Sequence, residues 1–145
     1  MIRKEITVGA PPDKAFRVWH QHIQLWWPPS HRTSSHPSST LVFEPRVDGR
    51  IFERSADRGE VDYGRVVAFE APDRLAYTFF MGTGRDRPTL VEVTFEACAG
   101  GTRVVVQHHA HLAADDFERT APRFHAGWGL LLPAFADHLL TSESP

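Results

Sequence analysis

Between Pro122 and Leu140 the chain reads PRFHAGWGLLLPAFADHLL, and Phe124, Trp128, Leu131, Phe135 and Leu139 recur there at steps of three or four. That spacing lines large apolar side chains along one stripe of an α-helix. The stripe has to be covered, and a curved sheet that grips the helix is the simplest cover for a chain whose other segments read as short strands. Such a geometry leaves a cavity between helix and sheet. Gly127 and Gly129 flank Trp128; glycine inside a helix costs roughly 1 kcal/mol against alanine, so close approach to the sheet or room for a ligand is the expected reason. Pro133 removes the bond to the carbonyl of Gly129 and predicts a bend.

Upstream, Arg3 to Val8 alternates as a half-buried strand. In DKAFRVWHQHIQLWW, Ala15, Phe16, Trp19, Ile23 and Trp26 fall at helical spacing, as one helix or two short ones, until Pro28 and Pro29 end it. Ser30 to Thr40 is rich in Ser, Thr, His and Pro and predicts an exposed, mobile loop. Leu41–Arg46, Arg50–Arg54, Val61–Phe69, Leu75–Met81, Thr89–Ala97 and Thr102–His111 read as strands, separated by turn chemistry at Val47-Asp48-Gly49, Asp57-Arg58-Gly59, Ala71-Pro72-Asp73, Gly82 to Pro88 and Gly100-Gly101. Tight connections predict an antiparallel meander. Asp115 to Ala121 reads as a polar connection, with Pro122 suited to the first turn of the last helix. The expected architecture is therefore a single α+β domain over residues 1–145, with about seven strands, two short early helices and one long final helix.

Composition removes several function classes. A formal charge of −2 with interspersed signs gives no basic face for nucleic acid. The single cysteine, Cys98, excludes an internal disulfide and a multi-cysteine metal site, and its setting reads as a small semi-buried side chain. No segment has membrane-spanning length, and the N-terminus is charged at once, unlike a signal peptide. The expected compartment is the cytoplasm.

The candidate site residues are mainly aromatic. Trp128, between its glycines, is the first choice for a pocket wall, with Tyr77, Phe79 and Phe95 from the sheet, Tyr63, Phe124 and Leu131 beside them, and Trp26 and Trp27 with the following loop at the mouth. Each of these also suits plain core packing. Glu53 and Arg65 fall on the apparent inward register of their strands and could pair to orient a polar ligand group; a bulge at Gly64 would instead turn Arg65 to solvent. His108 faces the same side as Val104 and Val106, towards the final helix. It is the candidate general base, with Glu53 the candidate acid, and a hydrogen-bonded core histidine is the competing reading. His109 and His111 could share a face but lack a third metal ligand, so no metal or cofactor is expected. No Gly-x-Ser-x-Gly elbow, Gly-rich phosphate loop or His-Glu-x-x-His motif occurs.

The stretches APPDKAFRVW, LWWPPSH, VDGRIFER, YGRVVAFEAPDRLAYTF, GGTRVVVQHHA and GWGLLLPAFADHL, in this order, resemble the helix-grip fold of the START-like (SRPBCC) superfamily, and within it the branch named after the activator of heat-shock-protein-90 ATPase. The resemblance runs from Arg3 to Leu140. It implies binding of a small hydrophobic or aromatic ligand, with a stress-related or chaperone-associated interaction module and a cyclase- or hydrolase-type enzyme as the alternatives. A homodimer through a strand edge or the Trp26-Trp27 region is left open.

Overall fold

The computed structural model describes residues 1–80, 88–110 and 114–141, the side chains of 114–116 and 118 excepted. Met81, the turn from Gly82 and His111 therefore lie outside the described residues, as do the side chains of the Asp115-Asp116 pair. In chain order the elements are β1 (Ile2–Val8), α1 (Pro12–Gln21), α2 (Ile23–Trp26), a 3-10 turn (Pro29–His31), β2 (Thr40–Phe43), β3 (Arg50–Ser55), β4 (Gly59–Glu70), β5 (Arg74–Phe79), β6 (Thr89–Cys98), β7 (Gly101–Ala110) and α3 (Ala114–Thr141). The strands form one antiparallel sheet in the order β1-β7-β6-β5-β4-β3-β2, so every pair except β1-β7 joins neighbours in sequence. The sheet curls into a half-barrel around α3, the α+β helix-grip arrangement.

Alternation explains the buried face. In β6, Val91, Val93 and Phe95 are buried, and in β7 Val104, Val106 and His108. The α1 side chains Phe16 and Trp19 fill the space between this face and α3. Phe16 packs edge-on against Phe95 at 5.3 Å, and Trp19 meets Phe135 at 5.0 Å and stacks on Trp128 at 6.1 Å. The stripe read from the sequence is the buried one: Phe124, Trp128, Leu131, Phe135 and Leu139 are all in the core.

One feature differs from the sequence reading, and a second decides between two alternatives it left open. The final helix starts at Ala114, not at Pro122, so the polar connection expected at Asp115 to Ala121 is its first turns. The stripe continues there, because Phe117 is buried seven residues before Phe124, with ring contacts to Phe124 and His108 at 6.2 and 5.7 Å. That contact outweighs the one amide Pro122 withholds. In β4 the register shifts where Tyr63 stands as the extra residue between Gly64, opposite Ile51, and Asp62, opposite Phe52. Tyr63 is buried as expected, and Arg65 turns to the outer face, where Nη1 donates to the Asp48 carbonyl at 3.3 Å. The Glu53–Arg65 pair is not formed. The shift needs Gly64, because a Cβ there would stand 1.8 Å from the Thr78 carbonyl oxygen.

These positions make opposite predictions for two glycines. Nothing lies within 4 Å of a Cβ placed on Gly129, so Gly129→Ala should stabilise the fold by about 0.5–1 kcal/mol. Gly64→Ala should destabilise it by about 3 kcal/mol. Urea unfolding of both variants checks the pair, and a loss at Gly129 would show that α3 needs glycine there for packing.

Candidate functional site

A cavity of about 300 Å³ lies between α3 and the ends of β5 and β7. Its walls include Trp27, Phe79, His108, Phe124, Trp128 and Leu131, six of the residues picked from the sequence, and its rim Ser30, His31, Arg32, Arg123 and Gly127. Each comes from a place the chain dictates. The helical stripe delivers Phe124, Trp128 and Leu131, the inward registers of β5 and β7 deliver Phe79 and His108, and the prolines after Trp27 bend the chain so that the 3-10 turn overhangs α3. Gly127 sits under that overhang, with a Cβ there 3.9 Å from the His31 ring.

The polar atoms of the floor are engaged with one another. Trp128 Nε1–H can only donate, and it lies 3.0 Å from His108 Nδ1, which must therefore be the unprotonated nitrogen. His108 Nε2–H then donates to Thr89 Oγ1 at 2.7 Å, and the Thr89 hydroxyl donates to the Phe79 carbonyl at 2.7 Å. His108 is wholly buried. Burial, with neighbouring His109 adding to it, pushes its pKa down to about 3. A neutral histidine whose lone pair already accepts from Trp128 has no free site for a substrate proton. The general-base role expected of His108 thus gives way to the hydrogen-bonded core histidine.

Glu53 is also placed differently from expectation. It is fully buried away from the cavity, and its carboxylate accepts from Thr33 N at 3.0 Å, Thr33 Oγ1 at 2.6 Å, Ser34 N at 3.2 Å, Ser39 Oγ at 2.5 Å and Tyr63 OH at 2.6 Å. Burial raises its pKa, but the bonds from Ser39, Thr33 and Tyr63 outweigh this and hold it below the ordinary carboxylate value. Glu53 is the anchor of the loop that the composition suggested would be mobile. Ser34 in that loop is only 3% exposed.

Arg32 completes the fastening. Its Nη1 donates to Gln24 Oε1 at 2.8 Å and to the Ser39 carbonyl at 3.1 Å, and its Nη2 to the carbonyls of Gln24 and Trp27 at 2.7 and 2.8 Å. Burial pushes the guanidinium pKa down, with Tyr63 and Glu53 pulling the other way. Arg123, on the opposite side of the rim, lies 5.7 Å over the Phe124 ring.

The remaining expected residues belong to the core. Trp26 is buried, its Nε1 donating to the Trp19 carbonyl at 3.1 Å, so of the tryptophan pair only Trp27 reaches the cavity. Tyr77 packs edge-on to Phe43 and Phe95 on Phe16 and Trp19. Tyr63 packs between Trp27 and Phe79, one layer behind the wall. His109 bonds Glu92 at 3.0 Å, and among the described residues no three His, Cys, Asp or Glu side chains gather as a metal site requires. The rim residues Ser30, His31 and Arg32 belong to the loop expected at the mouth, though none of them was named individually, and Arg123 was not singled out from the sequence.

The model of the family described as "Activator of Hsp90 ATPase homolog 1-like protein" matches residues 9–139. The chain belongs to this family. Solved structures similar to this family member include protein MLL2253 from Mesorhizobium loti, at 20% identity and TM-score 0.73, covering 99% of this chain and 98% of that one. The Aha1 dimer from Colwellia psychrerythraea is similar at 16% identity and TM-score 0.69, with 99% and 98% coverage. These two likenesses show the fold. An anthrahydroquino-γ-pyrone synthase is similar at 34% identity and TM-score 0.56, over 74% of each chain. No curated protein matches the sequence. No helix among the described residues is long and apolar enough to cross a membrane.

The buried groups set a pH dependence. His108 takes its proton at about pH 3 in the folded state and at 6.5 when exposed. Between these values the unfolded chain binds more protons, so stability falls as pH drops from about 6.5 towards 3. His20, held at about 4 by burial and by Arg17 and His22, adds to the same slope. The lowered pKa of Glu53 adds a further loss below its ordinary value of 4.5. His108→Gln should flatten the upper part of this profile in urea melts across the range. An unchanged slope would mean that His108 is charged in the folded protein.

Proposed function

We propose that the protein binds a small hydrophobic or aromatic molecule in the cavity between the sheet and α3. The observation that carries this reading is a cavity of about 300 Å³ with walls of Trp27, Phe79, Phe124, Trp128 and Leu131. The polar atoms of that floor are already satisfied internally, so it favours a flat apolar body over a polar one. The volume is at the lower end of the range for small-molecule sites, roughly 300–1,000 Å³. The likeness to an anthrahydroquino-γ-pyrone synthase, at 34% identity over 74% of each chain, supports the reading.

The enzymatic alternative built on His108 and Glu53 loses its support, because the first has no free lone pair and the second lies outside the cavity. A chaperone-associated role rests on the family description alone. No surface feature among the described residues adds to it.

Gly127 offers a test that separates binding from folding. It lies on the rim of the cavity, in an α-helix that gains from losing a glycine. Gly127→Leu should keep or raise the melting temperature while filling the cavity mouth. Titration with 2-naphthol and 1,8-dihydroxyanthraquinone should quench the fluorescence of Trp27 and Trp128 in the wild type, and weaken at least roughly tenfold in the variant. Equal quenching in both proteins, or in neither, would count against this cavity as the binding site.

A further inference from the structure

The rim of the cavity is lined by Arg32, Arg123, Ser30 and His31, and among the described residues none that lines it is acidic. The floor below has no polar group to offer, since Trp128, His108 and Thr89 satisfy one another and Trp27 Nε1 donates to the His31 carbonyl at 3.0 Å. Any polar recognition of a ligand must therefore happen at the rim.

Arg32 is the unusual member. A guanidinium has five N–H donors, and four of those on Arg32 are accounted for by Gln24, Trp27 and Ser39. All of those acceptors are neutral amide oxygens, and no carboxylate lies within ion-pair distance of Arg32 among the described residues. The fifth donor, Nε–H, is buried without a partner. A buried donor left unpaired is costly, and a cation without a counter-charge beside it is costlier. Glu53, the nearest source of negative charge, spends its oxygens on the loop hydroxyls and amides. The four bonds hold the guanidinium rigidly, so it is oriented before any ligand arrives, which favours recognition of an anion.

Resting on the ligand-binding reading, we infer that the ligand is an acid: a flat apolar body that fills the aromatic floor and a carboxylate, or an equally acidic group, that meets Arg32 at the rim. The same body with a neutral end group leaves the Arg32 guanidinium without a counter-charge.

The test compares 2-naphthoate with 2-naphthamide, which share shape and differ in charge, by tryptophan quenching and calorimetry on the wild-type protein. The acid should bind roughly tenfold or more tightly, a margin well within the attraction between a carboxylate and a guanidinium that lacks a counter-charge. In Arg32→Gln the two should bind about equally, with the amide little changed from wild type. If acid and amide bind the wild type equally well and Gly127→Leu blocks both, the acid inference is overturned and the cavity remains the binding site. If the preference for the acid survives in a folded Arg32→Gln protein, the assignment to Arg32 is overturned. If neither probe binds at all, the ligand-binding reading falls and the acid inference with it. The wild-type comparison needs no variant to fold.

Discussion

The buried hydrogen bond from Trp128 Nε1 to His108 Nδ1 joins the middle of α3 to the inner face of β7. It fixes the height of the helix above the sheet at that point, and with it the gap in which the cavity lies. Removing either partner would strand the other in an apolar setting at a cost of about 1–3 kcal/mol. The bond also selects the histidine tautomer and so directs the Nε2 proton to Thr89 and the Thr89 proton to Phe79. One contact thus determines helix position, wall geometry and the neutrality of the floor.

The second constraint acts at the rim. The segment after Trp27 would be free to leave the body of the protein if its hydroxyls and amides were solvated. Glu53 and Arg32 hold it from two sides, the carboxylate by accepting from Thr33, Ser34 and Ser39, the guanidinium by donating to Gln24, Trp27 and Ser39. Neither charge contacts the other directly. A buried carboxylate and a half-buried guanidinium, each held by neutral groups, make a rigid frame around the cavity mouth, and the Nε–H of the guanidinium is left without a partner.

Much of the architecture was legible in the chain because it follows from periodicity. The stripe Phe124, Trp128, Leu131, Phe135 and Leu139 is buried as its spacing requires, and the alternation of Val91, Val93 and Phe95 sets the inner face of β6. The errors arose where a local signal competed with a distant contact. Pro122 looked like a helix start, yet Phe117 one heptad earlier finds His108 and Phe124 and carries the helix through it. At Gly64 the sequence left two readings open, Arg65 inward beside Glu53 or a bulge that turns it to solvent; the extra residue in β4 decides for the bulge, and close approach to Thr78 makes that glycine necessary. Glu53 was read as a pocket acid, and it is buried away from the cavity. Which groups it would meet depended on a loop some twenty residues earlier whose path no periodicity describes.

The amino-acid sequence by itself determined the elements, the buried stripe, the aromatic inventory and the family, because helical and strand periods and turn residues are local properties of the chain. Only the tertiary structure decided which aromatics face a cavity and which fill the core, that His108 gives its lone pair to Trp128, and that Arg32 and Arg123 share one rim. Those outcomes depend on distances between residues far apart in sequence. They are set by how the sheet curls and how high the helix rides above it, and no local spacing encodes either.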